Sequence, residues 1–203
     1  MTSETDLLGQ PVHAFLDGVA EREPTPGGGS VAAAAGALAI ALARMVAAYS
    51  DGKCTDRDDP TKADQVADQL AHADRMLRRL VNEDAAAYRS YTAARKSSDP
   101  AEQARATGVA IAVPLETAAV ACSALAVLDR FKETSNRNLV SDLGIAAVLA
   151  EASVRAAAYN IRINLRDADQ ADPKGEVREE MEHLLEHARR ARESIAGFAD
   201  SYL

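Results

Sequence analysis

Between Gly29 and Ala47 the chain places a small residue on almost every side of a helix: Gly29, Ala32, Ala33, Gly36, Ala37, Ala39, Ala43 and Ala47. Small side chains let helix backbones approach closely, so this segment predicts a central helix packed by several neighbours. The run from Leu143 to Leu149, followed by Ala156 to Ala158, is a second candidate for the centre. Aromatic residues make up only 4% of the chain and tryptophan is absent. Strands favour aromatic and β-branched side chains, so a sandwich or barrel is excluded and an all-α fold remains. Nothing in the composition marks an internal boundary, and 47% apolar residues suffice for one sizeable core spanning residues 1–203.

Three boundaries share one pattern. Asp59-Pro60, Asp99-Pro100 and Asp172-Pro173 each put a capping carboxylate before a proline suited to the first helical position. Glu102 falls where the partner of a capping box at Asp99 belongs. The pattern predicts a bundle of about six helices, at residues 4–21, 30–50, 60–97, 100–131, 140–168 and 173–202. In the third, Val66, Leu70, Met76, Leu77, Leu80 and Val81 recur at helical spacing and mark one apolar face. Pro114 should kink or locally open the fourth, because it removes a hydrogen bond and clashes with the preceding turn. Apolar surface beyond what these helices bury among themselves predicts a homodimer.

The balance of 31 acidic and 23 basic residues disfavours nucleic acid and anionic membranes as partners. Met1 to Gly9 is acidic and lacks the basic start and apolar core of a signal peptide, which predicts a cytoplasmic protein. Val31 to Tyr49 is the one stretch that resembles a membrane span. It is mostly alanine and carries Arg44, so a helix buried in a bundle is the better reading. Cys54 and Cys122 lack metal or redox spacing. His183 and His187, four residues apart, have no evident third ligand and lie beside Glu182 and Glu186 on a solvated face, so no metal is expected.

Two segments carry chemistry. Pro24-Thr25-Pro26-Gly27-Gly28-Gly29-Ser30 leads into the small-residue helix. Its glycines allow a tight entry to a crowded helix, with Ser30 as N-cap. Equally, Gly27, Gly28, Gly29 and Ser30 can expose backbone N–H groups to an anion at a helix N-terminus. The loop lacks the Lys-Ser/Thr pair of a phosphate-binding loop and the spacing of a dinucleotide fingerprint.

The second segment is Asn136-Arg137-Asn138-Leu139-Val140-Ser141-Asp142, before the apolar run from Leu143 to Ala150. Asp142 is either a first-turn carboxylate stabilised by the helix dipole or a proton acceptor, with Asn138 and Ser141 as hydrogen-bond donors nearby. Asn160 follows Asp142 by about five turns on the same helix face, and Asn164 by one more. Both are substrate-binding candidates or buried hydrogen-bonding groups. Asp142 and Asn160 are about 27 Å apart along the axis, so one site holding both needs a second copy paired antiparallel across a two-fold axis.

Together these residues resemble the cyclodeaminase/cyclohydrolase family of tetrahydrofolate enzymes, found alone in bacteria and as the C-terminal half of formiminotransferase-cyclodeaminase. The resemblance covers nearly the whole chain. It rests on Phe15-Leu16-Asp17-Gly18-Val19-Ala20 running into the glycine loop, on Asp84-Ala85-Ala86-Ala87-Tyr88, on Val113-Pro114-Leu115, on Ser141-Asp142 and on Asn160-Ile161-Arg162-Ile163-Asn164. One departure is Ser135-Asn136-Arg137-Asn138, where many relatives have a Gly-Asn-Pro-Asn-like run.

The resemblance implies an all-α fold, at least a dimer, a folate substrate without metal or further cofactor, and Asp142 as the proton acceptor. The reaction implied is conversion of 5-formimidoyltetrahydrofolate to 5,10-methenyltetrahydrofolate and ammonia. Its alternative is the cyclohydrolase reaction giving 10-formyltetrahydrofolate, and a third reading is a folate-binding helical dimer without catalysis. A cyclodeaminase without its transferase half would draw its formimidoyl substrate from a separate transferase. The glycine loop, and more weakly Arg137, Arg162 and Lys53, are the partners expected for the carboxylates of the folate tail.

Overall fold

The computed structural model describes residues 6–50, 61–166, 172 and 175–203, with the side chains of 61–63 left aside. Within them the chain forms six α-helices and no strand: α1 (Val12–Ala20), α2 (Gly28–Ala48), α3 (Thr61–Ala94), α4 (Pro100–Phe131), α5 (Val140–Arg166) and α6 (Glu176–Asp200). Two short 3-10 turns, Lys132–Thr134 and Arg137–Leu139, link α4 to α5.

The helix starts follow the local chemistry with two shifts. At α4 the Asp99 carboxylate accepts the Ala101 N–H at 2.9 Å and Pro100 opens the helix, as its pattern predicts. Glu102 does not close the expected box; it accepts from Ser97 Oγ at 2.6 Å, and that hydroxyl in turn accepts the Asp99 N–H. Asp172 caps from further away. Gly175, with φ of 74°, turns the chain before α6 begins at Glu176, and Asp172 then accepts N–H groups of Val177 and Arg178 in the first turn. The boundary at Asp59-Pro60 lies outside the described residues. The first helix is shorter than its pattern implied, because Pro11 biases the residue before it toward extended backbone and α1 starts only at Val12.

Helices α2, α3, α4 and α5 pack as a four-helix core in which α2 and α4 each contact both α3 and α5, and α6 lies in the groove between α4 and α5. The small residues of α2 do what their size suggests. A Cβ on Gly36 would stand 2.8 Å from Ser153 Oγ and 3.1 Å from Leu77 Cδ2, so glycine there sets how closely α5 and α3 approach. Ser153 Oγ donates to the Ala32 carbonyl at 2.7 Å, and the buried Asp74 carboxylate joins Arg44 of α2 to Arg78 of α3. At the far end Asn136 donates through Nδ2 to the Tyr49 carbonyl, and its N–H donates to Ser50 Oγ. These contacts run the two helices antiparallel, with Gly28 beside Asn160 and Tyr49 beside Asn136.

α5 is as central as its apolar runs imply, with Leu143, Ala146, Ala147, Ala150, Val154 and Ala157 fully buried. α2 keeps one open side, on which Leu38 is 66% exposed. Among the described residues two helices, not one, are long and apolar enough to cross a membrane: α2, and the stretch Pro100–Thr134 that includes α4. More than half of each is buried in the bundle.

Candidate functional site

The glycine loop folds back against α1, with the Pro26 ring facing Gly18 and the Thr25–Pro26 bond cis. Gly27, in extended conformation and without a side chain to contribute, precedes the first helical residue of α2, Gly28. Ser30 is therefore inside the first turn and fully buried, not the N-cap its position suggested. Its hydroxyl lies 2.9 Å from the Val81 carbonyl and 3.0 Å from Asp84 Oδ2, both on α3. A helix N-terminus offers N–H groups and a positive dipole end to an anion. In this fold Asp84 occupies that place.

The Asp84 carboxylate accepts from both the backbone N–H and the hydroxyl of Ser30. A Cβ on Gly29 would collide with it, so the glycine is there to let a carboxylate close onto the helix end. Burial is the largest influence on this carboxyl and pushes its pKa above the ordinary carboxylate value, while the two Ser30 hydrogen bonds pull the other way without cancelling it. Asp84 is nonetheless partly open to solvent. A carboxyl whose proton is held this way suits general acid–base work.

Two neighbours complete the cluster. Asn160 on α5 donates through Nδ2 to the Ala156 carbonyl of its own helix, and its Oδ1 would stand 3.6 Å from a Cβ on Gly28. Tyr88 follows Asp84 by one turn of α3 and is 44% exposed.

The expected site residues thus divide. Gly29 and Ser30 lie against Asp84, while Gly27 and Gly28 open the same helix end and Asn160 lies against Gly28. Asn164, one turn beyond Asn160, donates to the Ala110 carbonyl of α4 at 2.6 Å. Asn138, Ser141 and Asp142 lie at the opposite end of α5, about 27 Å from Asn160 at 1.5 Å per residue along an unbroken helix. There the Asn138 N–H donates to Asn136 Oδ1, and Asp142 is half-buried in the first turn of α5.

Asp84 is a candidate that the sequence pattern did not single out as an acid–base group. Its signal was present in Asp84-Ala85-Ala86-Ala87-Tyr88, but nothing local connects that segment to a loop 54 residues earlier.

The proposed cationic partners for a folate tail are engaged elsewhere. Arg137 lies over the Phe198 and Tyr202 rings at 4.6 and 4.5 Å, and Arg162 pairs with Glu182 at 3.0 Å. Lys53 and Cys54 lie outside the described residues. His183 and His187 stack on each other on α6, and no cluster of three potential metal ligands occurs among the described residues. Two grooves, of about 470 and 690 Å³, run along α3 between Val66 and Ala73 and touch none of the residues around Asp84.

Comparison with known proteins gives a consistent result. Residues 11–199 match the family model described as formiminotransferase-cyclodeaminase. A methenyltetrahydrofolate cyclohydrolase of Methylorubrum extorquens is 31% identical, over 92% of this chain and 94% of that protein. The formimidoyltransferase-cyclodeaminase of Sus scrofa is 32% identical and that of Gallus gallus 35%, but the chain spans only 36% of the length of each. Among solved structures, a formiminotetrahydrofolate cyclodeaminase from Thermotoga maritima superposes with a TM-score of 0.88 at 29% identity, covering 95% of this chain and 96% of that one.

Proposed function

Since the chain belongs to the formiminotransferase-cyclodeaminase family, we propose that it acts on the one-carbon bridge between N5 and N10 of tetrahydrofolate, as a 5-formimidoyltetrahydrofolate cyclodeaminase, with Asp84 moving the proton. The observation that carries this reading is the Asp84 carboxyl, its pKa raised by burial, held on the first turn of α2 against Gly29 by Ser30, with Asn160 against the adjacent Gly28.

In the cyclodeaminase reaction N10 attacks the formimidoyl carbon on N5. With the formimidoyl group entering as the protonated amidinium, the N10 proton passes to Asp84, the carboxyl returns it to the departing NH2, and NH3 leaves as its C–N bond breaks and the 5,10-methenyl cation forms. One residue can serve both transfers, accepting the proton as a carboxylate and returning it as the acid, and burial favours the protonated form. Much of the acceleration comes from holding N5 and N10 together, since the attack is intramolecular. Tyr88 offers a ring face for the pterin, and Asn160 Oδ1 and the glycine backbone offer polar contacts to it.

The second reading is the cyclohydrolase reaction, in which water adds to the methenyl carbon and the bridge opens to 10-formyltetrahydrofolate. The stand-alone Methylorubrum extorquens relative, of matching length, favours it. Both reactions pass through a tetrahedral carbon between the same nitrogens, and the same carboxyl serves each. For the cyclodeaminase, a separate transferase would supply the formimidoyl group. The test is to incubate purified protein with 5-formimidoyl- and with 5,10-methenyltetrahydrofolate, following the methenyl absorbance and ammonia. Ammonia release from the first supports the cyclodeaminase, loss of methenyl absorbance from the second supports the cyclohydrolase, and turnover of neither leaves only folate binding.

The reading includes a homodimer formed on the open side of α2 and α5. Val31, Leu38 and Tyr49 on α2 and Ile145, Val148, Tyr159 and Ile163 on α5 are 39 to 68% exposed. Together they form an exposed apolar face of the kind that a second copy covers. A two-fold axis perpendicular to these antiparallel helices would set the Asp142 end of one copy beside the Asn160 end of the other.

A further inference from the structure

Pro114 lies inside α4, which continues unbroken through it to Phe131. Proline has no N–H, so the Ala110 carbonyl, one turn earlier, lacks its ordinary helical donor. A buried carbonyl left bare is costly, and a helix that tolerates an internal proline needs a substitute donor. The substitute comes from another helix: Asn164 of α5 donates its Nδ2–H to Ala110 at 2.6 Å.

This bond sits at the end of the bundle that carries the site. Directly beneath it Ile111 of α4 packs with Ala158, Ile161 and Leu165 of α5, so the polar tie crowns an apolar contact between the two helices. Asn160 precedes Asn164 by one turn of the same helix and lies against Gly28, beside the Gly29–Asp84 contact. A change in the spacing of α4 and α5 at Ala110 therefore moves Asn160 relative to α2. One N–H of the Asn164 amide is thereby committed to α4.

We propose that Asn164 is a positioning residue: by replacing the donor that Pro114 removes from α4, it ties α4 to α5 and so holds Asn160 in register with the glycine loop and Asp84. The functional half of this inference rests on the Asp84 reading above; the Pro114–Asn164 linkage does not.

The test is a double-mutant cycle of Asn164→Ala and Pro114→Ala, read by thermal melting and by turnover of 5-formimidoyl- and 5,10-methenyltetrahydrofolate. An alanine at 114 returns an N–H to the Ala110 carbonyl. Asn164→Ala should therefore lower Tm by roughly 5 °C when Pro114 is present and by no more than about 1 °C in the Pro114→Ala background. The double variant, although stable, should keep a kcat roughly tenfold below that of Pro114→Ala with KM little changed, because α4 and α5 are no longer tied. Asn164→Gln, which retains an amide donor, should recover part of the loss.

Equal Tm losses in both backgrounds would overturn the linkage. Full kcat in the double variant would reduce Asn164 to repair of one carbonyl, and a raised KM at unchanged kcat would make it a substrate ligand; either overturns the positioning role. Wild-type protein inert toward both folates would sink the Asp84 reading and the positioning role with it, while the melting cycle would still decide the linkage.

Discussion

The two ends of α5 each present a polar cluster, and they differ in what the fold has built around them. At the Asn160 end, α2 begins with three glycines, α3 brings Asp84 onto that helix terminus, and α4 is tied in through Asn164. At the other end, Asp142 stands in the first turn of its own helix, where a carboxylate is stabilised by the dipole, and Asn136 secures the chain to the last turn of α2. The first cluster draws its members from four helices. The second is mostly local. An acid that several distant elements converge on has an environment of its own, and at Asp84 burial raises the pKa.

The largest expected effect separates these ends directly. Asp84→Asn should lower kcat by about 10²–10⁴-fold while the melting temperature holds or rises, because a neutral amide no longer suffers the cost of a buried charge. Asp142→Asn, assayed beside it, should stay within a few-fold of wild type. A dead Asp142→Asn enzyme of normal Tm and assembly would reverse the comparison and return the proton-acceptor role to Asp142.

Gly29→Ala comes next. Its methyl group must displace the Asp84 carboxylate, which should reduce activity about a hundredfold and destabilise the fold by about 1–3 kcal/mol. Wild-type kinetics in this variant would mean that the close approach at Gly29 is irrelevant to the chemistry.

Leu38→Glu tests whether the two ends meet across a dimer. Placed on the open side of α2, the charge should convert a dimer to monomer in sedimentation analysis. Retained dimers with this variant and with Ile145→Glu would move the interface elsewhere. Monomers that keep full activity would show that each site is complete within one chain.

The smallest effect is in pH dependence. Asp84 has a folded-state pKa above its unfolded value, so the native state binds its proton more tightly. Its contribution to stability is therefore fully present below the unfolded pKa and is lost as pH rises through the raised folded value. Denaturant titrations should show this decline in wild type and not in Asp84→Asn. In the same window kcat/KM should climb as the basic form appears, with a midpoint above the ordinary carboxylate value of 3.8. A midpoint at or below 3.8 would remove Asp84 from the rate-determining protonation.

Much of this molecule is written locally. The Asp99-Pro100 cap, the 3.6-residue apolar periodicity of α3 and the small residues of α2 each act within a few turns of chain, and each produced the element its chemistry implies. The shifted start of α6 shows the limit of that legibility, since Gly175 adopts a left-handed turn that the Asp172-Pro173 pattern did not announce.

The glycine loop itself was readable in two ways, as a tight entry to a crowded helix or as an anion site. Tertiary structure made it both, because the anion closing on the helix end is the protein's own Asp84. In the same way Asn164 was readable as a ligand-binding amide or as a hydrogen-bonding group between helices, and the fold set one of its N–H groups against the carbonyl that Pro114 had freed. Helix formation depends on neighbours within one turn, so sequence alone determined the all-α bundle and its central helix. Which carboxylate closes onto Gly29 depends on contacts between residues more than fifty positions apart, and only the packing of α2 on α3 decided that.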